Sequence, residues 1–352
     1  HVSREAWASL PANPFPDEFR TLLPWEIVPR LISRHAQLRD WTRWAEPGQA
    51  PLDIPLRHFL KPFGLSDAAI RLAYDTAPSY GLSAWDISAL MLQANDGFIK
   101  GQIAIGPKTY AVRNGNSALI EGLRKLLRGD LILGAAVARV ESGSTGVTVT
   151  CDDGRVFRAG RAVCSLPLTA VRRIAFEPGL SGAQAGAVAT IPYQPFSNMF
   201  VSTTKPFWND DGISPAMWTN SPAGIVLPQY SGETEGEVTG FLVQARGDLA
   251  RYWDQLGHAR AAAVVIETLA RLRPAAAGAL KVEAVHSWGA EPYSGGAWAY
   301  FRPGQIRDFQ SAIATPAGRV HFCGEHCAIG ARGVEGALES SERAAIEVLT
   351  AG

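Results

Sequence analysis

The sequence predicts a mixed fold, part α/β and part α+β, and three stretches carry that prediction. Near the end, Arg319 to Cys323 is rich in β-branched and aromatic residues and Gly324 stops it; a Gly-rich turn follows from Gly330 to Gly333, and from Val334 apolar residues recur at helical spacing. In the middle, Val147 to Cys151, Val156 to Ala159 and Ala162 to Pro167 read as a β-meander with Asp153-Gly154 as its hairpin signal. At the start, residues 1–109 read as mostly helical.

Taken in order, helical spacing of apolar residues recurs from Pro16, from Trp25 to Trp44 and from Ser66 to Tyr74, with Ser66 and Ser83 as cap residues. Trp25, Trp41, Trp44 and Trp85 make this region dense in aromatics, which as a rule means core, with the wall of a tunnel as the functional alternative. The character shifts at Tyr110. Leu131 to Val140 reads as a strand leading into the meander. From Ile191 a second strand-rich part begins, with further strands over Glu237 to Gln244 and Ala284 to Trp288, separated by one amphipathic helix from Asp248 to Leu272.

Composition sets limits. With 352 residues, 47% apolar and 19% charged, the chain has a globular balance and enough length for about two domains. A formal net charge of zero gives no argument for nucleic acid or an anionic membrane surface. No apolar run is long enough for a transmembrane helix. Cys151, Cys164, Cys323 and Cys327 lack the second ligand pair of a metal site and read as buried free thiols, so no metal is predicted.

The strand–turn–helix near the end is where ligands bind in an open α/β sheet, since free N–H groups and positive potential gather at the helix start. Glu325, at the carboxyl end of the strand, suits a polyhydroxyl chain such as ribitol; an ordinary buried strand–turn–helix is the alternative. The stretch resembles the C-terminal flavin-binding motif of the flavin-containing amine oxidases, a family that includes monoamine oxidases, L-amino-acid oxidases and nicotine-type amine oxidases. That motif runs R-[IV]-x-F-x-G-E, a short loop, then G-x-M-E-G-A-x-E-S-G-x-R-A-A. Here it reads Arg319 to Glu325 and Gly333 to Ala345, with Val334 at the usual Met and Ser341 at the usual Gly.

The resemblance implies a Rossmann-like FAD-binding domain joined to a discontinuous substrate domain. Residues 1–109 would be the helical part of the substrate domain and 176–299 its sheet and helix; residues 110–175 and 300–352 would build the FAD domain. The family's G-x-G-x-x-G fingerprint occurs nowhere in the 352 residues, so the FAD domain is expected to be incomplete and a second polypeptide to supply the pyrophosphate-binding segment. Val137 would lie beside adenine, while Gly324, Glu325, Gly333 and Val334 would hold the ribityl and isoalloxazine end, with Trp288 also at the cofactor.

Trp298, in a segment resembling W-x-x-x-x-Y-x-x-G-[AC]-[YWF], would be one wall of the substrate cage. The opposite wall matches Gly333, which leaves room for a bulkier substrate. Most members carry a lysine ten residues before the Trp of P-F-W; here that position is Asn198, which implies slower oxygen use or another electron acceptor. Ala297 stands where some members attach flavin through Cys, so FAD is expected to be non-covalent, Cys327 being the one residue that could attach it. The implied activity is oxidation of the C–N bond of an amine or L-amino acid. A flavin desaturase or isomerase and a non-catalytic subunit are the other classes. Arg113, Arg302 and Arg332 are the candidates for meeting a substrate carboxylate.

Overall fold

The computed structural model describes residues 2–106, 108, 110, 112–230 and 236–351. Its longer helices, in chain order, are α1 (Pro24–His35), α2 (Ala89–Ile105), α3 (Ser117–Leu126), α4 (Gly182–Thr190), α5 (Asp248–Leu256), α6 (His258–Leu272), α7 (Gln305–Ile313) and α8 (Gly333–Thr350). The strands are β1 (Val137–Ser142), β2 (Val147–Cys151), β3 (Val156–Ala159), β4 (Ala162–Cys164), β5 (Ala175–Glu177), β6 (Phe196–Thr203), β7 (Met217–Trp218), β8 (Ile225–Gln229), β9 (Gly240–Arg246), β10 (Leu280–Ser287) and β11 (Val320–Phe322).

Among the described residues these strands form three sheets. The meander gives the order β3-β2-β1-β5, in which β1 and β5 run parallel and the hairpins antiparallel. β4 and β11 pair in parallel, Val320 opposite Ala162 and Phe322 opposite Cys164. The third sheet, β10-β6-β9-β8-β7, is antiparallel throughout.

The alternation of residues along β6, β8 and β9 gives this third sheet two distinct faces. Met199, Val201, Val226, Val243 and Ala245 are buried in a core that also contains Trp253 of α5 and Val265 of α6. The register sets Phe196 opposite Arg246, and Asn198 opposite Gln244 and His286, on the other face. Across a cavity from that face stands the helical region. α1 starts with Pro24 at its first position and Glu26 accepting the Leu23 N–H at 2.9 Å, and it buries Ile27, Val28, Leu31 and Ile32. α2 is capped by Ser88, whose Oγ accepts the Leu90 N–H at 3.2 Å.

Several expectations change here. The helix expected over 248–272 is two helices, because Gly257 adopts a left-handed φ of 73° and turns the chain. The helix from Trp25 ends at His35, and the strand before the meander starts at Val137 rather than Leu131. After Ser66 a single α-turn passes into a π-helical turn at Arg71–Asp75. Of the four early tryptophans only Trp44 is in the core; Trp41 is partly buried, while Trp25 and Trp85 are exposed. Cys151, Cys323 and Cys327 are buried, Cys164 is half-buried, and all four are free thiols.

Candidate active site

β11 delivers its end to α8 through a tight set of contacts. Gly324 sits at φ 136°, and a Cβ there would fall 2.4 Å from the His326 ring, so only glycine serves. Its N–H donates to Ser340 Oγ at 2.9 Å, and that hydroxyl donates back to the Gly324 carbonyl at 2.8 Å. Arg343 donates to the Phe322 carbonyl at 2.5 Å and pairs with Glu347, which also meets His321 Nδ1 at 3.0 Å. Strand end and helix are therefore one rigid piece.

The loop into α8 is fixed from both sides. Glu339 accepts the N–H groups of Ile329 at 2.8 Å, Gly330 at 3.2 Å and Ala331 at 2.7 Å. Trp41 and Trp44 donate their indole N–H groups to the Gly330 and Ile329 carbonyls, each at 3.0 Å. Arg332 closes the loop with its guanidinium 4.3 Å from the Trp44 ring centroid. Its Nε is buried with no hydrogen-bond partner among the described residues. α8 then begins without a side-chain cap, with open space around Gly333 and Val334 exposed. Free helix N–H groups, a guanidinium with one unpartnered N–H and a glycine leaving the approach clear fit a group that presents carbonyl or anionic oxygen. The residues present therefore fit the pyrimidine side of a flavin.

Glu325 completes this end. Its Oε1 accepts the Ala299 N–H at 2.7 Å, and burial raises its pKa against the opposing pull of the Ala299 N–H and Arg332. Ala299 directly follows Trp298, so one peptide unit ties Trp298 to the carboxylate. The approach of that segment depends on Gly295 and Gly296, where a Cβ would lie 2.8 Å from Thr169 and 2.5 Å from Tyr193. Trp298 donates to the Ser79 carbonyl at 3.3 Å and packs its ring 5.2 Å from Phe196 and 6.2 Å from Tyr80. Trp298, Gly324, Glu325, Gly333 and Val334 thus belong to one connected structure.

The remaining candidates stand further out. Trp288 donates its N–H to the Phe196 carbonyl at 2.9 Å, and its half-exposed ring meets His286 at 4.5 Å. Asn198 lies two residues from Phe196 on the same face, with its Oδ1 buried and unpartnered. Val137 opens β1 in a different sheet, opposite Cys151. Burial pushes the Cys327 thiol up to about 12, which leaves it protonated and a poor nucleophile for covalent attachment. Of the arginine candidates, Arg302 is committed to Asp86 at 2.7 Å and Arg113 is exposed.

Between the five-stranded sheet and the helical region lies a cavity of about 700 Å³. Trp25, Tyr74 and Ser79 line it from the helical side, and Trp218, Gln244 and Arg246 from the sheet. Ser79 carries it to Trp298, whose indole it accepts. Sequence reasoning missed Tyr74, Gln244 and Arg246. The signal was present in β9, where Gln244 and Arg246 alternate with the buried Val243 and Ala245.

Comparison with known proteins gives the family. The flavin-containing amine oxidoreductase family model matches residues 11–349. The flavin-dependent L-tryptophan oxidase of Lentzea aerocolonigenes is 27% identical over 259 residues, covering 70% of this chain and 54% of the relative. The L-amino-acid oxidase of Demansia vestigiata is 28% identical over 245 residues, covering 66% and 47%. The chain thus spans about half the length of the curated relatives it matches. Among solved structures, the cyclohexylamine oxidase of Brevibacterium oxydans IH-35A superposes with a TM-score of 0.71 at 22% identity, over 96% of this chain and 76% of that one. A putrescine oxidase A394C mutant reaches 0.73 at 20% identity, over 96% and 77%. At these identities the structural likeness speaks for the fold, which is that of FAD-dependent amine oxidases. The family model covers nearly the whole chain, and the chain belongs to the flavin-containing amine oxidoreductase family.

Proposed function

We propose that the protein oxidises the C–N bond of a small amine or L-amino acid with non-covalently bound FAD. The observation that carries this reading is the single peptide unit joining Trp298, whose indole reaches Ser79 in the cavity wall, to Glu325, beside the open start of α8. When bound, FAD would supply the two-electron oxidant, taking the hydride that leaves the substrate's α-carbon. The chain's own residues do the rest. Glu325 would hold the ribityl hydroxyls, and the α8 N-terminus with Arg332 would supply positive potential to the pyrimidine side of the flavin. Trp298, Phe196 and Tyr80 present aromatic faces that orient the substrate and keep water from its reacting carbon. The amine is neutral when it reacts and loses a proton from nitrogen as hydride leaves carbon. The resulting imine is hydrolysed to a carbonyl compound and ammonia or an amine.

In this reading residues 110–175 and 300–352 serve the cofactor, and residues 1–109 and 176–299 serve the substrate. Val137 would meet the adenine end and Trp288 the flavin flank. The pyrophosphate end falls to polypeptide outside these 352 residues. That this polypeptide is a separate chain finds no support among the relatives, and the expected hetero-oligomer is not proposed. Among the described residues no helix is long and apolar enough to cross a membrane.

The test is direct. Protein carrying the complete pyrophosphate-binding segment should be yellow, release FAD on denaturation and liberate ammonia from a substrate amino acid. Colourless protein, or the absence of ammonia with every amine and amino acid offered, would remove the proposal. The electron acceptor follows from Asn198. Neutral asparagine in place of a cation near the reacting face favours slow oxygen use, so Asn198→Lys should speed reoxidation by oxygen about tenfold or more in stopped flow; an unchanged rate would overturn this point.

A further inference from the structure

The segment from Gln37 to Trp44 joins the cavity side of the site to the cofactor side, and it is bonded to both. On the cavity side it is seated on α2, whose Leu92, Asn95, Asp96 and Ile99 line the cavity. Gln93, Gly97 and Gly101 recur every four residues and form the neighbouring stripe of that helix. Gln93 is 3% exposed and accepts the N–H groups of Gln37 at 2.7 Å and Leu38 at 3.0 Å. Trp41 lies in the notch left by the two glycines. A Cβ on Gly97 would fall 2.7 Å from the Trp41 Cβ, and one on Gly101 would fall 3.3 Å from its ring. Glycines in the middle of a helix weaken it, and here they make room for one indole. Asp40 closes the turn by accepting the Thr42 N–H at 2.9 Å. On the cofactor side the Trp41 and Trp44 indoles donate to the Gly330 and Ile329 carbonyls, and the Trp44 ring lies under the Arg332 guanidinium. One short turn therefore ties the helix that lines the cavity to the loop that starts α8.

From this geometry, and resting on the oxidase reading above, we propose that Trp41 and Trp44 are positioning residues for the reaction. Trp41 sets the spacing between α2 and the α8 loop, and with it the approach of a substrate in the cavity to the cofactor. Trp44 holds Arg332 in place, and with it the positive potential supplied to the flavin. Neither tryptophan touches the reacting atoms. Both act through the loop from Ile329 to Arg332, whose other side is held by Glu339. A transfer between two bound partners depends steeply on their separation, so a small slip of this turn should slow the chemistry while leaving substrate binding nearly unchanged.

The test uses the FAD-loaded protein with its complete pyrophosphate-binding segment, and reads kcat, KM, the flavin midpoint potential and the melting temperature. Trp41→Phe keeps a ring in the notch and removes the N–H to Gly330; kcat should fall about tenfold with KM changed less than about twofold. Gly97→Ala displaces Trp41 without altering the loop and should reproduce that split. Trp44→Leu removes the ring beneath Arg332 and should make flavin reduction about tenfold less favourable, a fall of about 30 mV in midpoint potential. Trp44→Phe returns a ring and should recover most of it. In an Arg332→Gln background Trp44→Leu should shift the potential no further. A lower melting temperature with kcat and potential unchanged overturns the proposal, as does a Trp44→Leu shift that persists in full in Arg332→Gln. If no amine or amino acid is oxidised yet the potential still follows Trp44 through Arg332, the oxidase reading fails and the positioning of Arg332 stands. Protein that takes up no FAD overturns both.

Discussion

Arg273 is buried and Arg246, in the same part of the chain, is half-buried, and they are treated in opposite ways. Arg273 is 3% exposed and fully answered: it grips both oxygens of Asp211 at 2.6 and 2.7 Å and donates to the carbonyls of Ser214 at 2.9 Å and Ile213 at 3.0 Å. Its guanidinium also lies over the Phe207 ring at 5.0 Å. Arg246 has one amide oxygen and an orphaned Nε. The first is a clip that holds the turn after β6 against the end of α6. The second keeps donors that no group among the described residues accepts. Most buried polar groups find partners, so one left without is a place where the fold holds an unmet hydrogen-bonding demand.

The contrast can be broken at either end. Arg273→Met strands the Asp211 carboxylate and two carbonyls, and should cost about 4 kcal/mol in chemical denaturation; a loss under 1 kcal/mol would erase the distinction. The next effect comes from His326, a group that is buried, neutral and bonded to the Tyr193 hydroxyl at 3.2 Å. Burial lowers its pKa from 6.5 to about 4. Above pH 6.5 the imidazole is neutral in both folded and unfolded chains and contributes nothing to the pH dependence. As pH falls from 6.5 towards 4 the unfolded chain takes up the proton first, so stability is lost across that window, by about 3 kcal/mol for the full shift. His326→Gln should flatten the stability profile there, and an unchanged slope would count against a neutral buried imidazole. The smallest effect is expected at the other arginine. Arg246→Met removes an uncompensated charge and should leave the melting temperature level or slightly raised, within about 1 kcal/mol. A large loss would mean that Arg246 is structural after all.

Much of the junction between β11 and α8 was legible in the sequence, because each of its parts is a local choice. Gly324 must be glycine, Glu325 follows it, and the small residues of α8 allow close packing on the strand. Trp298 was legible for a similar reason, since Gly295 and Gly296 announce a close approach. The cavity was not. Arg246 becomes conspicuous only when strand register sets it opposite Phe196 and the list of its possible partners comes up empty, and both depend on residues distant in sequence. Arg302 and Arg332 drew attention by lying near recognised motifs, yet Asp86, a residue 216 positions away, already occupies Arg302. Helix periodicity also ran through Gly257, because spacing of apolar residues does not register one left-handed φ.

The three amides gathered by Glu339 have a consequence for mutational tolerance. Within a single turn of α8, Leu338 is exposed and Ser341 is exposed, whereas Glu339 between them holds the loop on which Arg332 rests. A saturation library across this turn should therefore give a sharply uneven map. Positions 338 and 341 will accept most residues, and position 339 will accept almost none, since even Asp is one methylene too short to span Ile329 to Ala331. An engineer seeking to widen the substrate range without losing cofactor would leave that one carboxylate alone and work from the opposite wall.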